Sequence, residues 1–270
     1  HFYHAHQELN KLFYTKQDMQ IPHFATLDLV EKETPESSFA VFQDMLQNDK
    51  IDIFFIGDFN EIEVYEHLKM FGLHPRQPEL HLHYHQEFSN VLKEGLKQND
   101  AHQSIIELGY HFSVQYGDRN HIPLVVLNGL LGGFAHSKLF VNIREKESLA
   151  YTISSSIDIF SGMMRIYAGI DRKNRTKTVS LIYRQIADLK KGRFTDEDLN
   201  QTKKMLRNTM LLSLDRQNTL IERAYMASVL QKRFMSIDVW LNALETVTRE
   251  DIIVIAKQLR LQAVYFMEGK

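Results

Sequence analysis

Arg144 and Tyr151 stand seven residues apart across a helix-to-strand junction. A guanidinium offers N–H donors in a fixed fork and a phenol both donates and accepts, so together they could grip a peptide carbonyl. On residue types alone two plainer roles stay open: Arg144 paired with a nearby glutamate, and Tyr151 lining a core. The histidines, 13 in all, are the other reactive group. His81, His83 and His85 alternate, which on a strand would turn three imidazoles to one face, and His4 and His6 repeat the spacing. Such a face could take a metal or be a polar strand edge. Neither His-x-x-Glu-His nor His-Glu-x-x-His occurs; three before Glu66-His67 stands Glu63, not histidine. The chain offers no recognisable catalytic zinc site of its own.

The elements that must position Arg144 and Tyr151 lie in Leu127 to Ser156. An apolar helix pattern is followed by a Gly132-Gly133 break, a short helix from Ser137 to about Lys146, and a strand from Tyr151. Ser137 is the expected hydroxyl N-cap. Leu139, Phe140 and Ile143 repeat at helical spacing and should bury one face. The Gly-Gly turn lacks the Gly-Lys-Ser order of a phosphate loop, and no Gly-x-Ser-x-Gly supports serine hydrolysis. Lys190-Lys191-Gly192-Arg193 reads as a solvated helix end, where positive charge complements the dipole.

Upstream, the His-rich opening reads as irregular, with Glu8 to Tyr14 as the end of a helix. Thr34 and Pro35 start a helix whose buried face should hold Phe39, Phe42, Met45 and Leu46. Ile51 to Ile56 reads as a buried strand, and Asn60 starts a helix ending near Gly72. A linker is expected at about 73 to 80. Ile106 to Val114 alternates as a strand with one apolar face, and Pro123 opens the next helix. A hairpin spans 151 to 170, and helices follow at about 174 to 191, 196 to 213, 216 to 231 and 236 to 258, the last broken near Val247. Thr195 with Asp198, and Thr248 with Asp251, have capping-box spacing. Ala263 to Met267 is a closing strand.

At 270 residues, 44% hydrophobic and 24% charged, with a formal net charge of −2, the composition is that of an ordinary globular protein. It makes no electrostatic case for nucleic acid or a membrane surface. The absence of cysteine excludes disulfides and thiolate chemistry and fits a reducing compartment, the cytoplasm being the expectation. The chain opens at His1 rather than Met, which points to a fragment. A repeat supports this: Thr34-Pro35-Glu36, an amphipathic helix and IDIFFIG recur as Thr248-Arg249-Glu250, an amphipathic helix and AVYFMEG. Residues 1–75 then read as the tail of a first half-domain and 80–270 as a complete second one.

The string Gly-Gly-Phe, His-Ser-Lys-Leu-Phe, Arg-Glu-Lys, Ser-Leu-Ala-Tyr resembles the C-terminal portion of the pitrilysin/insulin-degrading-enzyme/mitochondrial-processing-peptidase family of inverzincin metallopeptidases. The closest look is to the bacterial two-protein branch, whose one member lacks the zinc motif and is associated with aminopentanol modification of elongation factor P. The resemblance implies an α+β roll, a mostly antiparallel sheet backed by helices. It implies that Arg144 and Tyr151 bind substrate, facing a zinc site in a partner half-domain or homologous subunit, as in a dimer. This chain would hold no catalytic residue, cofactor or metal. A silent peptide-binding or scaffold protein is the alternative.

Overall fold

The computed structural model describes residues 1–22, 24–72, 76 and 84–270. In chain order the helices are α1 (Phe2–Phe13), α2 (Leu27–Val30), α3 (Pro35–Asn48), α4 (Glu61–Lys69), α5 (His121–Asn128), α6 (Arg175–Lys190), α7 (Asp196–Ser213), α8 (Gln217–Leu230), α9 (Ile237–Thr246) and α10 (Arg249–Gln258). The strands are β1 (Lys93–Gln98), β2 (Ser104–His111), β3 (Ala150–Asp158), β4 (Met163–Ile170) and β5 (Arg260–Glu268). The chain divides into two compact units, one of residues 1–21, 84–212 and 232–270, the other of 22–83 and 213–231. The linker expected at about 73 to 80 falls, apart from Arg76, outside the described residues.

The first unit is a five-stranded sheet in the order β1-β5-β2-β4-β3. Only β1 and β5 run parallel; the other neighbours are antiparallel. This is the α+β architecture expected. Alternate residues of β2, β4 and β5 (Ile106, Leu108, Met164, Ile166, Val264, Phe266) meet helix residues such as Leu124, Ile182, Leu199, Leu244 and Ile255 in the main core.

β2 departs from the expected single apolar face, because all eight of its residues are buried. The cause is α1, which covers the opposite face with Ala5, Leu9 and Phe13 against Ile105, Ala263, Tyr265 and Met267. The His-rich opening is therefore helix from Phe2 onward, not irregular. Two glycines receive α1: a Cβ on Gly109 would stand 2.8 Å from the Phe13 ring, and one on Gly95 3.0 Å from a Leu12 methyl. Beneath the N-terminal end of α1, Arg165 of β4 grips Glu107 of β2 with two donors, and the Phe2 ring covers the guanidinium at 4.7 Å.

Local signals set most helix ends. Thr248 and Asp251 form a reciprocal capping box, as do Thr195 and Asp198, and the chain breaks between α9 and α10 at Val247. After α6, Gly192 takes φ +68°, and the Arg193 N–H bonds back to Asp188 O at 2.9 Å.

In the second unit, α3 begins as expected, with Thr34 capping and Pro35 in the first turn. Its expected buried face is not buried: Phe39, Phe42 and Met45 are exposed. Residues 51–56 form no strand either; Ile51, Ile53, Phe55 and Ile56 are all exposed. A strand exists only with a neighbour to bond to, and none stands beside this run among the described residues.

Candidate functional site

The site grows from a helix that widens as it approaches the sheet. α5 does not break at Gly132-Gly133 but continues as a π-helical turn over Gly129–Gly133, and the chain becomes extended at Phe134. Two glycines of that turn lie close to neighbours. A Cβ on Gly132 would stand 2.6 Å from the Ser155 nitrogen of β3, and one on Gly129 2.7 Å from a Thr202 methyl of α7. The Ser155 hydroxyl donates to Asn128 Oδ1 at 2.8 Å, fixing the turn to the strand.

The next short helix buries Leu139 and Ile143 fully, as their spacing requires. Ser137 does not cap it through its hydroxyl, which is buried without a partner; its carbonyl instead accepts the Val141 N–H at 2.9 Å. From Phe140 to Glu145 the helix is again π-helical, and the Lys146 N–H reaches back five residues to Val141 O at 3.0 Å. π-turns of this kind recur at functional positions because the extra residue re-aims the side chains that follow.

Arg144 lies in that turn. Its guanidinium stacks on the half-buried Phe140 ring at 4.6 Å and touches Glu145 only at 3.9 Å, so most of its donors face solvent. A stacked guanidinium keeps its plane fixed while its edges stay available. Ser148, at φ +51°, then reverses the chain, and the Leu149 N–H bonds to Ile143 O at 3.0 Å.

Tyr151 follows at a β-bulge. Ala150 pairs with Ile170 and Thr152 with Gly169, leaving Tyr151 between them as the extra residue. A bulge turns a side chain out of the pleat. The Tyr151 ring is accordingly 58% exposed and lines no core. Its hydroxyl donates to Asp171 Oδ1 at 2.7 Å, and that bond pushes the phenol's pKa up. Asp171, just after β4, is a site residue that no local spacing reveals, since twenty residues separate it from Tyr151. β3 is the outer strand of the sheet, so among the described residues its far edge is unpaired.

The other sequence candidates disperse. His81 and His83 lie outside the described residues, and His85 is exposed. His4 and His6 stand on α1, where a spacing of two does not share a face, and His4 Nε2 lies 3.1 Å from Lys97 Nζ. Among the described residues no group of three His, Cys, Asp or Glu could hold a metal ion. His121 is buried against Tyr116, and burial lowers its pKa to about 4.

A family model described as "Peptidase M16 inactive domain" matches residues 32–206, which include Arg144 and Tyr151. The "Probable inactive metalloprotease YmfF" of Bacillus subtilis is 35% identical over 244 residues, 90% of this chain and 57% of that protein. The "Uncharacterized zinc protease YmxG" of the same organism is 25% identical over 265 residues, 94% of this chain and 62% of that one. A conserved protein from Enterococcus faecalis V583 superposes with a TM-score of 0.92 at 37% identity, over 99% of this chain and 63% of its own. A peptidase M16 inactive domain from Pseudomonas fluorescens shares the fold, with a TM-score of 0.78 at 16% identity, over 98% of this chain and 65% of its own. The chain thus spans 57% and 62% of the length of these two Bacillus proteins. It belongs to the peptidase M16 family, in the part that the family model describes as the inactive domain.

Proposed function

We propose that this chain is the substrate-gripping portion of an M16 peptidase, a non-catalytic half that holds peptide against a zinc site supplied by another half-domain or a homologous subunit. One observation carries the reading: Arg144 and Tyr151 both stand outside the core, at the entrance to an edge strand whose outer backbone pairs with no other strand among the described residues. A peptide laid along β3 would bond to that backbone, with the guanidinium and phenol placed to hold its carbonyls. The described residues do not fit a zinc ion, so no step is assigned to a metal in this chain.

The duplication belongs to the same reading. Residues 51–56 are the counterpart of β5, which has a strand on each side, yet among the described residues they have none. We take them as a central strand of a first half-domain whose other strands lie in the additional length that the relatives carry. A cytoplasmic location and a dimeric assembly with a homologous zinc-bearing partner complete the proposal. The name of the Bacillus relative, an inactive metalloprotease, favours a second reading in which the assembly holds peptide without turnover.

The test is Arg144→Ala and Tyr151→Phe in the full-length protein assembled with its partner. Peptide affinity should fall by ten- to hundredfold, the cost of a charge-assisted hydrogen bond at about 1.5–3 kcal/mol. Stability should stay within about 0.5 kcal/mol, because both side chains are exposed. Variants that melt early and bind normally overturn the reading. Chelator-sensitive cleavage by the assembly separates a peptidase from a silent scaffold.

A further inference from the structure

The opposite edge of the sheet carries a groove that the reading above does not use. β1 pairs with β5 on one side and with no described strand on the other. Gly95 and Lys97 face α1, where Gly95 receives the Leu12 methyl and Lys97 meets His4. By the two-residue period of a strand, Glu94 and Leu96 face the α6 side. α6 leaves part of the sheet open there. A groove of about 410 Å³ remains, with Val179, Val264 and Phe266 as its apolar surface, and Glu94, Tyr183 and Arg175 around it. That is room enough for a large side chain and the backbone that bears it.

Arg175 sets the chemistry. Its guanidinium lies over the Phe266 ring at 4.2 Å, which fixes its plane and leaves its N–H edges for an acceptor. Arg165, Arg172 and Arg249 of the same unit each hold a carboxylate, whereas Arg175 forms no ion pair among the described residues. Leu96 of β1, 55% exposed, extends the apolar surface toward the open edge.

We propose that this groove binds the C-terminal residue of a peptide. The α-carboxylate would sit on Arg175, the final apolar side chain on Phe266 and Val264, and the preceding residues would add to β1 as a sixth strand. A fatty acid shares the carboxylate and the apolar tail but has no amides to bond with β1; the open strand edge beside the groove selects the peptide. Glu94 on the same strand disfavours acidic residues just before the terminus. The site lies four strand spacings from β3, about 19 Å, and does not rest on Arg144 or Tyr151.

The experiment uses the 270-residue chain and fluorescein-labelled short peptides ending in Phe, Leu or Val, read by anisotropy. Free-acid peptides should bind. The same peptides with an amidated C-terminus, or with N-methylated amides at the residues preceding it, should bind about tenfold more weakly or worse. Arg175→Gln should match the effect of amidation, and Ser180→Trp, an exposed groove position, should abolish binding while the melting temperature is kept. Arg144→Ala should leave this binding unchanged. Three results would overturn the proposal: no binding of the free-acid set, equal binding of the amidated set, or binding indifferent to N-methylation and displaced by dodecanoate, which would make the groove a fatty-acid site.

Discussion

Tyr151 and Asp171 join the first residues of β3 to the residue just past β4 by one hydrogen bond of 2.7 Å, phenol to carboxylate. The bulge at Tyr151 makes this possible, since a residue in the regular pleat would have faced Gly169 or Ile170 instead. The bond holds the phenol protonated, as a donor, and this contact raises its pKa. Asp171→Asn should lower the ionisation midpoint of Tyr151, followed by NMR of ring-labelled tyrosine. An unchanged midpoint would mean that the bond does not persist in solution. Because both groups are at the surface, the melting temperature should hardly move.

Gly132 should not tolerate a side chain. Its Cβ would stand 2.6 Å from a backbone nitrogen of β3, and backbone cannot swing aside as a side-chain tip can. Gly132→Ala is expected to cost about 1–3 kcal/mol. Gly133→Ala, whose nearest contact would be 3.3 Å, should cost clearly less. Chemical denaturation of the two variants checks the contrast.

The Glu107–Arg165 pair should give a pH-dependent stability. Burial pushes the Glu107 carboxyl up to about 7 from 4.5, against the pull of Arg165. Between those values the folded chain binds more protons than the unfolded one, so this group's contribution is full below 4.5 and is lost as pH rises through about 7. Glu107→Gln removes that slope. The stability of the wild type relative to this variant should therefore decline from pH 4.5 to 7. A flat difference would place the folded carboxyl near its ordinary value. The same pH series on Arg165→Met should carry that decline to higher pH, because without the guanidinium only burial acts on the Glu107 carboxyl and pushes it up further.

Thr248 accepts the Asp251 N–H at 3.2 Å while Asp251 accepts the Thr248 N–H at 2.8 Å. Thr248→Ala should lower stability by about 1 kcal/mol. Thr248→Ser, which keeps the acceptor, should recover most of it; equal losses in thermal melts would trace the effect to the lost methyl.

These caps were legible in the sequence because donor and acceptor are three residues apart. The break at Val247, the β3–β4 hairpin and the Leu139/Ile143 face were legible for the same local reason. Ile51 to Ile56 was not, because its composition is that of a strand while strandhood depends on neighbours elsewhere in the chain. Nor was the double burial of β2, whose second cover is a helix about ninety residues upstream. Arg144 and Tyr151 could be picked out by type and spacing. The bulge that turns Tyr151 outward could not, and neither could its partner Asp171, since both follow from strand register.

The covering of the sheet by α1 also bears on how the chain acquires its fold. Gln262 Nε2 donates to the Phe13 carbonyl at 3.2 Å across a separation of 249 residues. During synthesis α1 is made long before β5, so Leu9 and Phe13 must wait for their seat until almost everything between has been made. Contacts this remote in sequence form slowly, since a long loop must close before they repay its lost entropy. Until then the α1-facing side of β2 stays open, which makes the nascent chain most prone to association just before its last strand arrives.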